Sequence, residues 1–264
     1  MGRKSNRSGG GFVSFVKNAL LFFGIVALIV IFSEPDQPTG SGSVEASQKN
    51  RTPWPFLNEA GGSEVGKELD QSNIYVVFDN SGSMIDQGCS GNQTKSDAAK
   101  NALQRFARDI PTATNLGLLV FDNYGISERL SLGLNNRNEF IKAVNQSKPG
   151  SGTPLKSSIS IAYKKLTEQG RRQLGYGNYH LVVVTDGEAS SGESPKQVVN
   201  DILKDSPIVF HTIGFCIRDN HSLNQAGKII YKSAMNVKEL QEGLKGVLAE
   251  SEDFVLTDFK QGKP

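Results

Sequence analysis

The stretch at positions 74–84, Ile-Tyr-Val-Val-Phe-Asp-Asn-Ser-Gly-Ser-Met, constrains this chain more than any other. Its first five residues are apolar, β-branched or aromatic without a break. Such a run is typical of a strand that is buried on both faces of a parallel sheet. Asp79, Ser81 and Ser83 then place three oxygen-bearing side chains at alternate positions, in a turn that contains glycine. Packing alone does not require these oxygens, whereas a magnesium ion would, because it prefers oxygen ligands in octahedral geometry.

Strand and helix patterns alternate from residue 72 onward. Buried strands are predicted at 74–78, 116–121, 181–185 and 208–213, with weaker candidates at 128–134 and 229–232. Apolar residues at three- and four-residue spacing predict helices near 95–109, 137–146 and 154–168, one after Ser194-Pro195 and a last one from Asn236. This alternation predicts one α/β domain over residues 72–250, with a doubly wound, mainly parallel sheet covered by helices on both faces. A short tail at 251–264 follows.

Polar residues follow the predicted strands at the edge where ligands bind in open α/β sheets. Thr185, Asp186 and Gly187 come at the end of the third buried strand. Thr153 lies in a Gly-Ser-Gly-Thr-Pro loop at 150–154, which ends where a helix begins. Because the carboxyl ends of parallel strands share one edge, these residues can reach the same crevice as Asp79.

Together these three clusters resemble the von Willebrand factor type A domain. Asp-Asn-Ser-Gly-Ser-Met at 79–84, Thr153 in Gly-Thr-Pro-Leu and Asp186 in Val-Val-Thr-Asp-Gly-Glu are similar to the three parts of that family's metal-ion-dependent adhesion site, in the same chain order. The resemblance covers about residues 73–250 and implies a Rossmann-like fold. Asn80 departs from the family pattern, because that position is usually small or apolar.

The resemblance implies a role for each matched residue. Ser81 and Ser83 would bind the metal through their hydroxyls, Thr153 would supply a third hydroxyl directly or through water, and the carboxylates of Asp79 and Asp186 would act mostly through water. The implied ion is Mg2+, with Mn2+ or Ca2+ as alternatives. Neutral hydroxyls and distant carboxylates leave the ion's charge incompletely compensated and one position open, which an Asp or Glu carboxylate of a partner protein could fill.

Each cluster also has a purely structural interpretation. Asp-Asn-Ser-Gly favours a plain β-turn, Thr153-Pro154 can cap a helix, and Asp186-Gly187 can form a turn that ends a strand. The combination of all three clusters on a matching order of strands and helices favours the metal site.

The amino terminus predicts a membrane anchor. Basic residues within positions 1–11 precede an apolar run whose only charge is Lys17. A helix of about 20 residues rises about 30 Å, which matches the hydrocarbon thickness of a bilayer. Because Glu34 and Asp36 follow the run, residues 1–11 are predicted to stay in the cytoplasm, 12–33 to span the membrane, and the rest to lie outside, in the periplasm or at the cell surface. A cleaved signal peptide is the alternative, although no A-x-A-like site follows the long apolar core.

Residues 34–71 are rich in proline, glycine and serine, which predicts a linker. Within it, Trp54 and Phe56 each follow a proline and can pack on the domain. Cys89 follows the candidate metal loop, and Cys216 follows the last buried strand, so both are expected on one face of the domain. An extracytoplasmic location would permit a disulfide between them, and two separate thiols remain the alternative.

The remaining features argue against several classes of function. The formal net charge of +2 indicates no nucleic-acid partner, and the three histidines show no zinc-site spacing. No G-x-S-x-G motif or nucleophile–base pair accompanies the strand ends, so we expect neither an enzyme nor a small-molecule substrate. The prediction is a membrane-anchored, bacterial-type domain that binds a partner protein through a metal ion, in adhesion or surface assembly. The alternative is a component of a chaperone or metal-insertion complex that works with an AAA ATPase, which would require a cytoplasmic domain.

Overall fold

The computed structural model describes residues 53–57 and 64–251 of the chain. Within them the strands are β1 (Ser72–Asp79), β2 (Asn115–Asp122), β3 (Gly125–Gly133), β4 (Asn178–Thr185), β5 (Val209–Phe215) and β6 (Ile230–Ala234). The helices are α1 (Lys95–Asp109), α2 (Arg137–Gln146), α3 (Leu155–Arg172), α4 (Lys196–Asp205) and α5 (Val237–Ser251). A short 3-10 turn, Gly82–Ile85, follows β1.

The described strands form one sheet in the order β3-β2-β1-β4-β5-β6. At its centre, β1 pairs in parallel with β2 on one side and with β4 on the other. β3 is antiparallel to β2, whereas β4, β5 and β6 continue in parallel. The strand order therefore reverses between β1 and β4. In open α/β sheets, this reversal creates a crevice at the carboxyl ends of the two strands, where ligands bind.

The apolar run of β1 is unbroken because helices cover both faces of the sheet. Ile74, Val76 and Phe78 belong to one apolar cluster, which includes side chains of α1, α2 and α5. Tyr75 and Val77 belong to a second cluster, with side chains of α3 and α4. The predicted fold class, a doubly wound and mainly parallel sheet with helices on both faces, is confirmed.

The element boundaries follow local signals. α1 and α2 have the predicted bounds, and α3 continues past the predicted end at 168 to Arg172. α5 begins after Asn236, whose Oδ1 accepts the Glu239 N–H at 2.9 Å, as expected of a capping pair. The two strands with the weaker sequence patterns, β3 and β6, lie at the edges of the sheet.

Residues 53–57, within the predicted linker, pack on the domain. The ring of Trp54 lies edge-on to that of Tyr179, with centroids 4.7 Å apart, and Nε1–H donates to Thr167 Oγ1 at 3.1 Å. Gly170 permits this approach, because a Cβ at that position would overlap the indole. Since α3 ends and β4 begins beside this contact, the segment lies at the end of the sheet opposite the crevice.

The predicted membrane span at 12–33 lies outside the described residues, as do residues 252–264 of the predicted tail. Among residues 53–57 and 64–251, no helix has the length and apolarity needed to cross a membrane.

Candidate metal centre

The last residue of β1, Asp79, is fully buried at the carboxyl end of the sheet. Its Oδ1 accepts the backbone N–H of Ser81 at 2.8 Å, and its Oδ2 accepts the hydroxyl of Thr185, at the end of β4, at 2.6 Å. The carboxylate is therefore held from both strands that border the crevice.

Ser81 and Ser83, which follow Asp79, extend the hydrogen bonding from β1 toward the end of β4. Ser81 Oγ and Ser83 Oγ lie 3.2 Å apart, and the Ser83 hydroxyl donates to Asp186 Oδ1 at 2.7 Å. The 3-10 turn is anchored by Met84, whose side chain is completely buried in the core. Asp79, Ser81, Ser83 and Asp186 thus form one continuous hydrogen-bonded series across the point where strand order reverses.

Thr153 reaches this place through its loop. The N–H of Gly82, between the two serines, donates to the Ser151 carbonyl at 3.0 Å. Thr153 itself is 8% exposed, and its N–H donates to Ser190 Oγ at 2.9 Å, while the Ser190 N–H donates to the Thr153 carbonyl at 3.0 Å. The five predicted site residues lie on three segments: the end of β1 with the 3-10 turn, the loop at 150–154, and the end of β4. Hydrogen bonds connect the first segment both to the loop and to the end of β4.

Asn80, the departure from the family pattern, is fully buried. Its side-chain amide donates to Ser147 Oγ at 2.9 Å, its backbone N–H donates to the Phe121 carbonyl at 2.9 Å, and its carbonyl accepts the Gly150 N–H at 3.0 Å. These bonds connect the end of β1 with the end of β2 and with the loop that carries Thr153. The polar side chain bonds the residue that follows α2, whereas the backbone carbonyl of Asn80 holds the loop.

The electrostatics of the crevice favour a cation. Burial and, after it, the negative charge of Asp186 raise the pKa of Asp79 to about 6, although the hydrogen bonds from Ser81 and Thr185 oppose the rise. Two carboxyl groups that share a buried site disfavour each other's charged form, and a nearby positive ion relieves this repulsion.

The donor set also indicates the kind of ion. Two carboxylates and three hydroxyls offer only oxygen, which suits hard cations such as Mg2+, Mn2+ or Ca2+. Within the described residues, no three or more His, Cys, Asp or Glu side chains lie together so that they could hold a metal ion, so an ion in this crevice would depend on the hydroxyls as well. His180 and His211 face each other with ring nitrogens 3.1 Å apart, and His221 bonds the Gly187 carbonyl at 2.8 Å. The residues present fit a hydroxyl-rich site for a divalent ion.

A positive side chain touches the site. Lys95, the first residue of α1, places Nζ 2.8 Å from Asp186 Oδ2, and the two side chains are only 11% and 0% exposed. This residue was not predicted from the sequence. Its one signal in the sequence is weak: a cation in the first turn of a helix is disfavoured by the helix dipole, so a lysine there needs a compensating partner.

The cysteines lie beside the same loop. Cys89 and Cys216 form a disulfide with Sγ–Sγ 2.06 Å and Cα–Cα 5.5 Å. The bond connects the segment after the 3-10 turn with the residue that follows β5. Of the two alternatives that the sequence left open, the structure therefore contains the disulfide.

Comparison with known proteins decides the family. The family model of the von Willebrand factor type A domain matches residues 73–248. The chain belongs to this family. The type A domain thus extends from β1 to the last turns of α5, and it contains every residue of the candidate metal centre.

The type A domain has relatives in bacteria and animals. The "Uncharacterized protein YwmD" of Bacillus subtilis (strain 168) is 25% identical over 202 residues, which cover 69% of this chain and 88% of that protein. Integrin alpha-2 of Bos taurus is 31% identical over 122 residues, which cover 43% of this chain and 10% of the integrin.

Solved structures share the fold of the type A domain. BatB from Bacteroides thetaiotaomicron has a TM-score of 0.53 at 16% identity, over 68% of this chain and 98% of that chain. A von Willebrand factor type A structure from Catenulispora acidiphila has a TM-score of 0.56 at 15% identity, over 69% of this chain and 43% of that chain. At these identities, the likeness establishes the α/β fold and nothing beyond it.

Proposed function

We propose that this type A domain binds a partner protein through a divalent metal ion held by Asp79, Ser81, Ser83, Thr153 and Asp186. Mg2+ is the first candidate, with Mn2+ and Ca2+ as alternatives. The observation that carries the proposal is the hydrogen-bonded series from Asp79 through the two serines to Asp186, at the carboxyl ends of β1 and β4. These side chains already converge on one another and offer oxygen only.

Each residue has a defined part in the proposed site. Ser81, Ser83 and Thr153 would bind the ion through hydroxyls, whereas Asp79 and Asp186 would orient those hydroxyls or bound waters. A bound divalent ion would supply positive charge and an open coordination position. The partner would offer an Asp or Glu carboxylate, because an anionic oxygen ligand both completes the coordination of a hard cation and compensates its charge.

Interaction, rather than catalysis, is the function that the family favours. Type A domains are generally interaction modules. In the described part of this chain, the side chains at the carboxyl ends of β1 and β4 are hydroxyls and carboxylates that bond one another, and no histidine is bonded to either serine among them. We therefore assign no catalytic residue and no small-molecule substrate.

The proposed setting is the outer side of a membrane. Residues 12–33 would anchor the chain with its amino terminus in the cytoplasm, and the segment at 53–57 enters the domain at the end of the sheet opposite the metal centre. The Cys89–Cys216 disulfide also favours an oxidising compartment, and with it this setting over a cytoplasmic complex with an AAA ATPase.

Thermal unfolding of the full-length chain tests the metal site. A ligand that binds only the folded state stabilises it by RT ln(1 + [L]/Kd), so Mg2+ at about 100 times its Kd should raise Tm by about 5–10 °C. Ser83→Ala removes a hydroxyl from the site and should abolish the rise. Ser160→Ala, which removes an exposed hydroxyl on α3, is the matched control and should retain it. An unchanged wild-type Tm in millimolar Mg2+ and Mn2+ would contradict the proposal.

A reporter fused after Pro264 tests the setting. An enzyme that is active only outside the cytoplasm should be active in this fusion, and one that is active only inside should be silent. The reverse pattern would favour the cytoplasmic alternative.

A further inference from the structure

Lys95 places a fixed positive charge against the proposed metal site. Its Nζ lies 2.8 Å from Asp186 Oδ2, while Oδ1 of the same carboxylate accepts the Ser83 hydroxyl at 2.7 Å. Both oxygens of Asp186 are therefore engaged by the protein itself. Because the Asp186 side chain is 0% exposed, the ammonium rather than solvent compensates its charge.

The lysine is held in place from its backbone to its side chain. Its N–H donates to the Asp86 carbonyl at 2.8 Å, at the end of the loop that carries the serines. The aliphatic part of its side chain packs against Gly88, where a Cβ would lie 2.7 Å from Lys95 Cε. The next residue, Cys89, is bonded to Cys216. The loop therefore closes over Lys95 and fixes the ammonium beside Asp186.

The charges of these groups set how the site responds to a metal. The carboxylates of Asp79 and Asp186 with the Lys95 ammonium carry a formal charge of −1, so that a divalent ion leaves the site at +1. With a neutral residue at position 95, the same ion would leave the site at zero. A carboxylate ligand is attracted to the net charge of +1 in the metal-loaded wild-type site. In the metal-loaded site with a neutral residue at position 95, there is no net charge to attract it.

We infer that Lys95 shifts the preference of the site from the metal ion alone toward the metal ion with a carboxylate ligand. The ammonium lowers the affinity of the free domain for a divalent cation, and it raises the affinity of the metal-loaded domain for a carboxylate. By thermodynamic linkage, a bound carboxylate strengthens metal binding by the same factor by which the metal strengthens carboxylate binding. This inference rests on the proposed function and specifies that the partner's acidic residue and the metal bind cooperatively.

Mn2+ binding to the full-length chain in a non-ionic detergent, followed by the electron paramagnetic resonance signal of free Mn2+, tests the inference. Titrations are made with and without acetate as the carboxylate probe. Lys95→Met should bind Mn2+ about five- to tenfold more tightly than wild type without acetate, the expected scale for one partly buried charge nearby. Acetate should strengthen Mn2+ binding in wild type and have a smaller effect in Lys95→Met.

Three further variants make the result specific. Lys95→Gln loses the charge but retains a hydrogen-bond donor, so it should match Lys95→Met and carries the test if Lys95→Met does not fold. Lys95→Arg keeps the charge and should resemble wild type. Lys204→Met makes the same charge change on an exposed residue at the end of α4 and should have no effect.

The outcomes separate the inference from the function on which it rests. Mn2+ affinity that is unchanged or weaker in folded Lys95→Met and Lys95→Gln overturns the inference and leaves the proposed metal site standing. An equal acetate effect in wild type and in both neutral variants also overturns it. Failure of the wild-type chain to bind Mn2+ overturns the proposed function itself.

Discussion

Asp79 owes its position to hydrogen bonds as much as to its place at the end of β1. Thr185 donates its hydroxyl to Oδ2 at 2.6 Å, and both residues are fully buried. A buried acceptor that loses its donor bears the full cost of its desolvation. Thr185 is not one of the five proposed metal-site residues, but it is as important for holding the Asp79 carboxylate in place as those residues are.

Thr185→Val tests this dependence, because it replaces the hydroxyl by a methyl group of similar size. We expect it to lower the free energy of unfolding, measured by urea denaturation, by about 1–3 kcal/mol. Thr212→Val is the matched control on β5: Thr212 Oγ1 is buried without a hydrogen-bond partner among the described residues, so its loss should be neutral or stabilising. Equal effects of the two substitutions would contradict the role assigned to Thr185.

The buried histidine pair predicts a pH dependence. Burial, and then the neighbouring His180, lower the pKa of His211 from 6.5 to about 4, and Glu250 on α5 lies 3.9 Å from its Nδ1. Between these two pKa values the unfolded state binds more protons than the folded state, so stability rises with pH. The contribution is complete above about pH 6.5 and is lost as pH falls toward about 4.

We therefore expect the wild-type domain to lose about 2 kcal/mol through His211 between about pH 7 and about pH 5. His211→Gln should be less stable at the higher pH but should show a smaller loss between the two. Urea denaturation at both pH values measures this difference. An unchanged pH dependence in the variant would mean that His211 is not held neutral.

At the scale of the elements, the disulfide joins parts of the chain that are far apart in sequence. It connects the segment that follows the 3-10 turn with the end of β5, across a separation of 127 residues. In the chain-entropy model, closing a loop of this length in the unfolded state stabilises the fold by about 4–5 kcal/mol. The same bond fixes the loop that covers Lys95.

Replacing both cysteines by alanine should therefore lower the free energy of unfolding by about 4–5 kcal/mol in urea. Adding a reductant to the wild-type chain should have a comparable effect, and reductant should not change the double variant. Mass spectrometry of the non-reduced chain provides a direct check, since free thiols in the purified protein would exclude the bond.

The strands and helices also show which parts of the fold could be predicted from the sequence and which could not. The buried strands and the first two helices could be predicted because their apolar spacing directly reflects their burial, and Asp79, Ser81 and Ser83 could be found because they follow such a strand. β3 and β6 were weaker predictions because edge strands need not be apolar on both faces. Lys95 and Ser190 could not be found, because their roles depend on contacts between segments distant in the chain.

At the scale of the whole molecule, the described domain has two distinct ends. Trp54 docks the preceding chain where the strands begin, and the candidate metal centre lies where β1 and β4 end. In the proposed function, the Lys95 ammonium beside Asp186 and a bound divalent ion would together attract an acidic partner.

Isothermal titration calorimetry of Mg2+ into the full-length chain tests the central claim most directly. The account predicts that wild type binds one Mg2+ per chain, that Ser81→Ala weakens this binding by at least about tenfold, and that the exposed Ser160→Ala leaves it unchanged. Absence of binding by wild type at millimolar Mg2+, or an affinity that Ser81→Ala does not alter, would contradict it.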